Sequence, residues 1–157
     1  MARIDYYDDP GAPRATSLVP SANVAVVNDD GELLMIHRTD NDNWALPGGA
    51  MDLGESLIDT AVRETKEETG IDCRVTGLVG IYTDPRHVIL YTSDGEVRQE
   101  FSVVFLARPT GGQPRPSSET REVMWVRRSM LLELRMDRSM RLRVEHFLEG
   151  RHTPYLG

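Results

Sequence analysis

Residues 49–71 read Gly49-Ala50-Met51-Asp52-Leu53-Gly54-Glu55-Ser56-Leu57-Ile58-Asp59-Thr60-Ala61-Val62-Arg63-Glu64-Thr65-Lys66-Glu67-Glu68-Thr69-Gly70-Ile71. The spacing predicts a helix from Ser56 to Thr69. Ser56 is an N-cap with Asp59 three residues on, and Gly70 suits the left-handed position that ends a helix. Leu57, Ile58, Ala61, Val62 and Thr65 form its inward stripe. At ~100° per residue, Glu64, Glu67 and Glu68 gather on roughly a third of the circumference, with Glu64 and Glu68 bordering the buried stripe. Like charges at i, i+4 destabilise a helix by a few tenths of a kcal/mol. Such a cluster is either a solvated acidic face partnered by Arg63 and Lys66, or a set of hard oxygen ligands for Mg²⁺ or Mn²⁺.

Upstream, Asn23–Asn28 and Glu32–His37 have strand patterns joined by Asp29-Asp30-Gly31, which has hairpin chemistry. Trp44–Met51 reads as a short strand broken by Pro47-Gly48-Gly49. Residues 1–20, polar and carrying Pro10, Pro13 and Pro20, read as an extended arm, leaving 21–157 as one domain. Downstream, strand patterns recur at Arg74–Tyr82, His87–Thr92, Glu100–Arg108 and Glu122–Val126. Pro109–Ser118 has loop composition, and helical patterns cover Ser129–Arg135 and Ser139–Leu148. Strands with a helix inserted and helices at the end make a mixed α/β layer fold.

The 157 residues match the size of one domain that needs no disulfide to fold. Cys73 is the single cysteine, so no intrachain disulfide exists. A formal charge of −7 argues against nucleic acid as the main partner and makes phosphorylated ligands unwelcome unless cations intervene. No stretch approaches the ~20 apolar residues of a membrane helix, so no membrane partner and a cytoplasmic location are expected.

Gly49, Glu55, Arg63, Glu64, Glu67, Glu68 and Gly70, followed by Ile71, match G-x5-E-x7-R-E-U-x-E-E-x-G-U, where U is a bulky aliphatic. At ~0.06 usage per residue type, seven fixed identities occur by chance at on the order of 10⁻⁹ per window. The chain therefore resembles the Nudix hydrolase family. Thr65 departs from the pattern, standing where an aliphatic is usual. The resemblance implies an α/β/α sandwich with a mixed sheet and a loop–helix–loop motif. The implied activity is divalent-metal-dependent hydrolysis of a nucleoside diphosphate linked to another moiety. A diphosphate meeting an acidic helix is repelled by ~1 kcal/mol per charge pair at 4 Å in water, and by ~4 kcal/mol at an effective dielectric of 20. Divalent ions reverse that sign and lower the pKa of a bound water. Carried over, Glu64, Glu67 and Glu68 would ligate Mg²⁺ or Mn²⁺ with the Gly49 carbonyl, and Arg63 would pair with Glu55 to hold the loop. Relatives differ over the general base. Here the choices are Glu64, Glu122, Glu119 and Glu100, with Glu122 the leading site residue outside the motif of residues 49–71, the family's box. The resemblance also leaves room for a homodimer in which the arm crosses to a second subunit.

Arg38, just after the second strand, is positioned to reach a phosphate. Pro85, fourteen residues beyond Ile71, resembles a proline found in relatives that hydrolyse ADP-ribose. With Arg86 beside it as a substrate contact, ADP-ribose or a related NDP-sugar is the expected substrate. The alternatives are a (d)NTP, as in nucleotide-pool sanitation, and a nucleotide-binding sensor without hydrolysis.

Overall fold

The strand Ser21–Val26, in which Ala22, Val24, Ala25 and Val26 are buried, contributes side chains to both halves of the core. In the computed structural model, which describes residues 3–157, the strands and helices follow in order. They are β1 (Arg3–Tyr7), β2 (Ser17–Leu18), β3 (Ser21–Val26), β4 (Leu33–Arg38), β5 (Trp44–Ala45), β6 (Gly48–Ala50) and α1 (Leu57–Thr69). After α1 come β7 (Ile71–Tyr82), β8 (His87–Tyr91), β9 (Val97–Gln99), β10 (Ser102–Gly112), β11 (Thr120–Val126), α2 (Arg138–Glu149) and β12 (Tyr155–Leu156).

A mixed sheet has the order β12-β7-β10-β3-β6, with β3 parallel to β10 and antiparallel to β6. A second sheet, β11-β4-β5, is antiparallel, and a third has the order β1-β8-β9-β2. Alternation along β3 splits the core in two. Ala22, Val24 and Val26 pack with Ala61 of α1 and with Ile71 and Cys73. Ala25 packs with Met140, Val144 and Phe147 of α2. Helices thus cover both faces of the sheet, in the α/β/α sandwich that the sequence resemblance implies.

The α1 termini form as the sequence dictates. The Ser56 hydroxyl accepts from the Asp59 amide at 3.0 Å, Asp59 returns the bond to the Ser56 amide at 2.9 Å, and Gly70 closes the helix at φ 79°. Its inward stripe differs at one position. Ile58 is 51% exposed, while Thr60, Ala61, Thr65, Glu68 and Thr69 are buried. Ile58 has nearly the angular position of buried Thr65, seven residues on, so its exposure follows from its place in the first turn of the helix and not from its angle.

The N-terminal segment folds back on its own chain. β1 pairs antiparallel with β8, and β2 pairs parallel with β9. Asp5 is held by Nη2 and Nε of Arg3, at 2.9 and 3.0 Å, and by His87 Nε2 at 2.8 Å. These partners, partly buried at Arg3 and Asp5 and buried at His87, hold a strand where the local sequence reads as polar arm. β10 likewise runs on to Gly112, into the stretch with loop composition, with a register irregularity between Pro109 and Gly111. Such a bulge accommodates a residue that has no amide hydrogen to donate. The helical pattern over Ser129–Arg135 takes the form of a 3₁₀ helix at Arg128–Glu133. Among the described residues, no helix is long and apolar enough to cross a membrane.

Candidate active site

Three pieces meet along α1: the β5–β6 segment, the loop that follows it, and the acidic face of the helix. Arg63 ties them together. Its Nε donates to Glu55 Oε2 at 2.6 Å, and its Nη2 to Glu55 Oε1 at 2.9 Å and to the Ala50 carbonyl at 3.2 Å. Its Nη1 meets Glu64 at 2.9 Å and Glu67 at 3.3 Å. The forked pair holds the Glu55 carboxyl well down, at about 2, chiefly through the Arg63 hydrogen bonds.

Glu68 is 4% exposed and accepts a hydrogen bond from the Gly48 amide at 2.8 Å. Burial pushes its carboxyl up to about 8; the Gly48 amide opposes that rise and the neighbouring Glu64 adds to it. Glu64 is raised as well, by burial first, with Arg63 working against it. Glu67 stands further out, with its side chain 59% exposed.

The two glycines are required by close approach. A Cβ at Gly49 would lie 2.5 Å from Glu64 Cδ, and one at Gly48 would lie 2.1 Å from the Ala22 carbonyl oxygen. Among the described residues, no three His, Cys, Asp or Glu side chains are grouped as a ready metal cage. Glu68 is turned to the Gly48 amide, and Arg63 engages both Glu64 and Glu67. The donor set nevertheless suits a hard divalent cation. It consists of carboxylate oxygens on one helix face, against a backbone stripped of its Cβ, with two carboxyls whose charge burial disfavours.

Gly49 and Glu64 line a cavity of about 390 Å³ that extends past Asn23 and Leu46 to Met140 and Arg143 of α2. Arg38 also lines it, with its guanidinium on Asp40 at 3.0 and 2.9 Å. Among the base choices, the cavity wall includes Glu64, Glu119 and Glu100. Glu122 does not line it; it is exposed on β11, opposite His37 in the strand register. Glu100 is enclosed, accepting from Arg143 Nη2 at 3.0 Å and from Ser102 Oγ at 2.7 Å. Arg86 is also outside the cavity. It lies with Pro85 in the turn between β7 and β8 and pairs with Asp84 at 3.0 Å.

Sequence reasoning passed over Arg143. It reads as one more charge on a helix, yet it is 5% exposed and joins α2 to Asn23 and Glu100. No local signal identifies it, because its partners lie 120 and 43 residues away.

A metal-compatible acidic helix on an α/β/α sandwich defines the class, and comparison with known proteins agrees. The NUDIX domain family model matches residues 17–147, so the chain belongs to the NUDIX hydrolase family. A MutT-like protein of Streptomyces ambofaciens is 42% identical over 101 residues, covering 64% of this chain and 58% of the relative. A putative 8-oxo-dGTP diphosphatase of Bacillus subtilis is 35% identical, covering 67% of this chain and 64% of the relative. An ADP-ribose pyrophosphatase of Methanocaldococcus jannaschii is 32% identical, covering 71% and 64%. The chain thus spans about three-fifths of the length of these three relatives. In fold it is similar to the crystal structure of an ADP-ribose pyrophosphatase from Streptococcus suis. That match has a TM-score of 0.68 and 22% identity, and covers 90% of this chain and all of that one.

Proposed function

We propose that this chain hydrolyses the phosphoric anhydride of a small nucleotide, a nucleoside diphosphate linked to another moiety, with Mg²⁺ or Mn²⁺. One observation carries the reading. The box carboxylate Glu64 and the bare backbone of Gly49 form one end of a cavity within the usual size range for small-molecule sites. Glu64, Glu67, Glu68 and the Gly49 carbonyl are the groups that would hold the metal. When bound, the metal supplies Lewis-acid polarisation of the phosphoryl oxygens and lowers the pKa of a water.

The chain's own residues supply the rest. Arg63 fastens Glu55 and the Ala50 carbonyl, so loop and helix keep one spacing. The Gly48 amide orients Glu68. Arg38, one of the cavity's arginines, is the phosphate contact in this reading, since a guanidinium matches phosphate in a forked geometry. Glu119, on the cavity wall and close enough to raise both Glu64 and Glu68 electrostatically, joins Glu64 as a group able to take a proton from water.

For the attached moiety, a sugar as in ADP-ribose is the expectation raised by Pro85, and one relative's name agrees with it. A nucleoside triphosphate is the second reading. It is favoured because Pro85 and Arg86 stand outside the cavity, and another relative's name agrees with it. Turnover with Mg²⁺ over ADP-ribose, other NDP-sugars, dinucleotides and (d)NTPs, with and without chelator, tests the proposal. Chelator-sensitive hydrolysis of any of these supports it. Nucleotide binding without hydrolysis would make the chain a sensor module and overturn it.

A further inference from the structure

Asn23 stands opposite Gly48 in the β3–β6 register. Its neighbours Ala22 and Val24 pack beneath α1, so alternation turns Asn23 to the other face of the sheet, toward α2. There Arg143 donates from Nη1 to Asn23 Oδ1 at 2.5 Å and from Nη2 to Glu100 Oε2 at 3.0 Å. A guanidinium has only donors, so the atom it meets on Asn23 is the amide oxygen. The other end of the amide is thereby committed. Nδ2 overlies Gly48, where an added Cβ would be 2.5 Å from it. Among the described residues Nδ2 has no acceptor, it is not sealed from solvent, and Asn23 lines the cavity.

We infer that Asn23 Nδ2 is a fixed hydrogen-bond donor that reads the nucleobase, favouring an exocyclic carbonyl over an exocyclic amino group at that edge. The inference rests on the proposed nucleotide chemistry for its class of ligand. The diphosphate belongs with the carboxylates of α1, on the opposite side of the sheet. The α2 side of the cavity is walled by Leu46 and Met140, apolar groups that suit a flat uncharged ring. Because Arg143 occupies the oxygen, the amide cannot turn over to offer an acceptor. A base amino group would then face donor to donor, and an unpaired buried polar group discriminates strongly.

The test is binding of GMP and AMP, measured by calorimetry on wild type, Asn23→Asp and Asn23→Ala. Asn23→Asp keeps an oxygen for Arg143 and replaces the donor with an acceptor. Asn23→Ala removes the donor without adding charge. Wild type is expected to bind GMP at least tenfold tighter than AMP. Asn23→Asp should shift that ratio toward AMP by tenfold or more, and Asn23→Ala should bring it close to one. Equal weakening of both ligands, an unmoved ratio, or no binding of either to wild type overturns the inference. Neither monophosphate contains the anhydride to be cleaved, so an enzyme inactive on every substrate defeats the proposed function while this ratio is still read.

Discussion

The Arg63 guanidinium grips both oxygens of Glu55, at 2.6 and 2.9 Å, across eight residues of sequence. Through its other edge the same group reaches Glu64 and the Ala50 carbonyl, so one planar cation sets the spacing between loop and helix. A lysine carries the charge but not the fork. Arg63→Lys is therefore expected to lower kcat at least tenfold with a small change in Tm. Steady-state kinetics beside thermal melts check this, and an unchanged kcat would show that the fork is dispensable.

The same pair predicts an acid signature. The Glu55 carboxyl sits near 2 when folded, below its ordinary value of 4.5, because the carboxylate form accepts from Arg63. The folded state thus binds fewer protons than the unfolded one in that window. The stabilisation is complete above about pH 4.5 and disappears as pH falls through about 2. Glu55→Gln should flatten the fall in Tm between those limits, measured in chelator so that metal binding does not enter.

Glu68→Gln keeps an acceptor for the Gly48 amide but removes a charge that burial disfavours. Without divalent metal the variant should be at least as stable as wild type. With saturating Mg²⁺ its turnover should be lower by ~10² or more, since one ligand and its charge are gone. Retention of more than about a tenth of the rate would remove Glu68 from the ligand set.

Three carboxylates outside the helix separate by position. Glu119→Gln should lower turnover at least tenfold, whereas Glu122→Gln, on the exposed edge of β11, should leave it close to wild type. Glu100→Gln acts on stability instead, because it leaves Arg143 buried beside a neutral partner at a cost of up to about 3–5 kcal/mol. Parallel assays and denaturant titrations distinguish these. If only Glu122→Gln lost activity, the assignment of this wall would be wrong.

Thr65 stands where the family pattern has an aliphatic. It is fully buried, and its hydroxyl has no hydrogen-bond partner among the described residues beyond the neighbouring Cys73 thiol. Thr65→Val should raise stability by about 1 kcal/mol, read as a higher denaturation midpoint with unchanged kcat. A loss of stability would mean that the Cys73 contact outweighs the cost of burying the hydroxyl.

Much of the motif is legible because its parts are local. The Ser56 cap, the Gly70 terminus and the i, i+3, i+4 carboxylates all lie within one helix, where backbone geometry alone converts spacing into position. The exposure of Ile58 was not legible. It has the angle of the buried stripe but lies in the first turn, and how much of a helix's length the core covers is set by tertiary packing. The strand at Arg3–Tyr7 escaped for a similar reason. Its stabilising partner, His87, is far along the chain, and the segment itself is polar.

The sequence by itself therefore determined the family, the mixed α/β layering and the acidic helix, since each depends on residue identity at short, regular spacing, and the family resemblance in turn implied the Arg63–Glu55 brace. Only the tertiary structure decided which distant groups share the cavity. It brought Glu119 to the wall and left Glu122 outside, buried Glu100 against Arg143, and turned the Asn23 amide so that its donor faces the open space. Those outcomes depend on strand register and on how α2 docks on the sheet. Both are settled by summing many weak packing contacts over the whole core, and no window of sequence contains that sum.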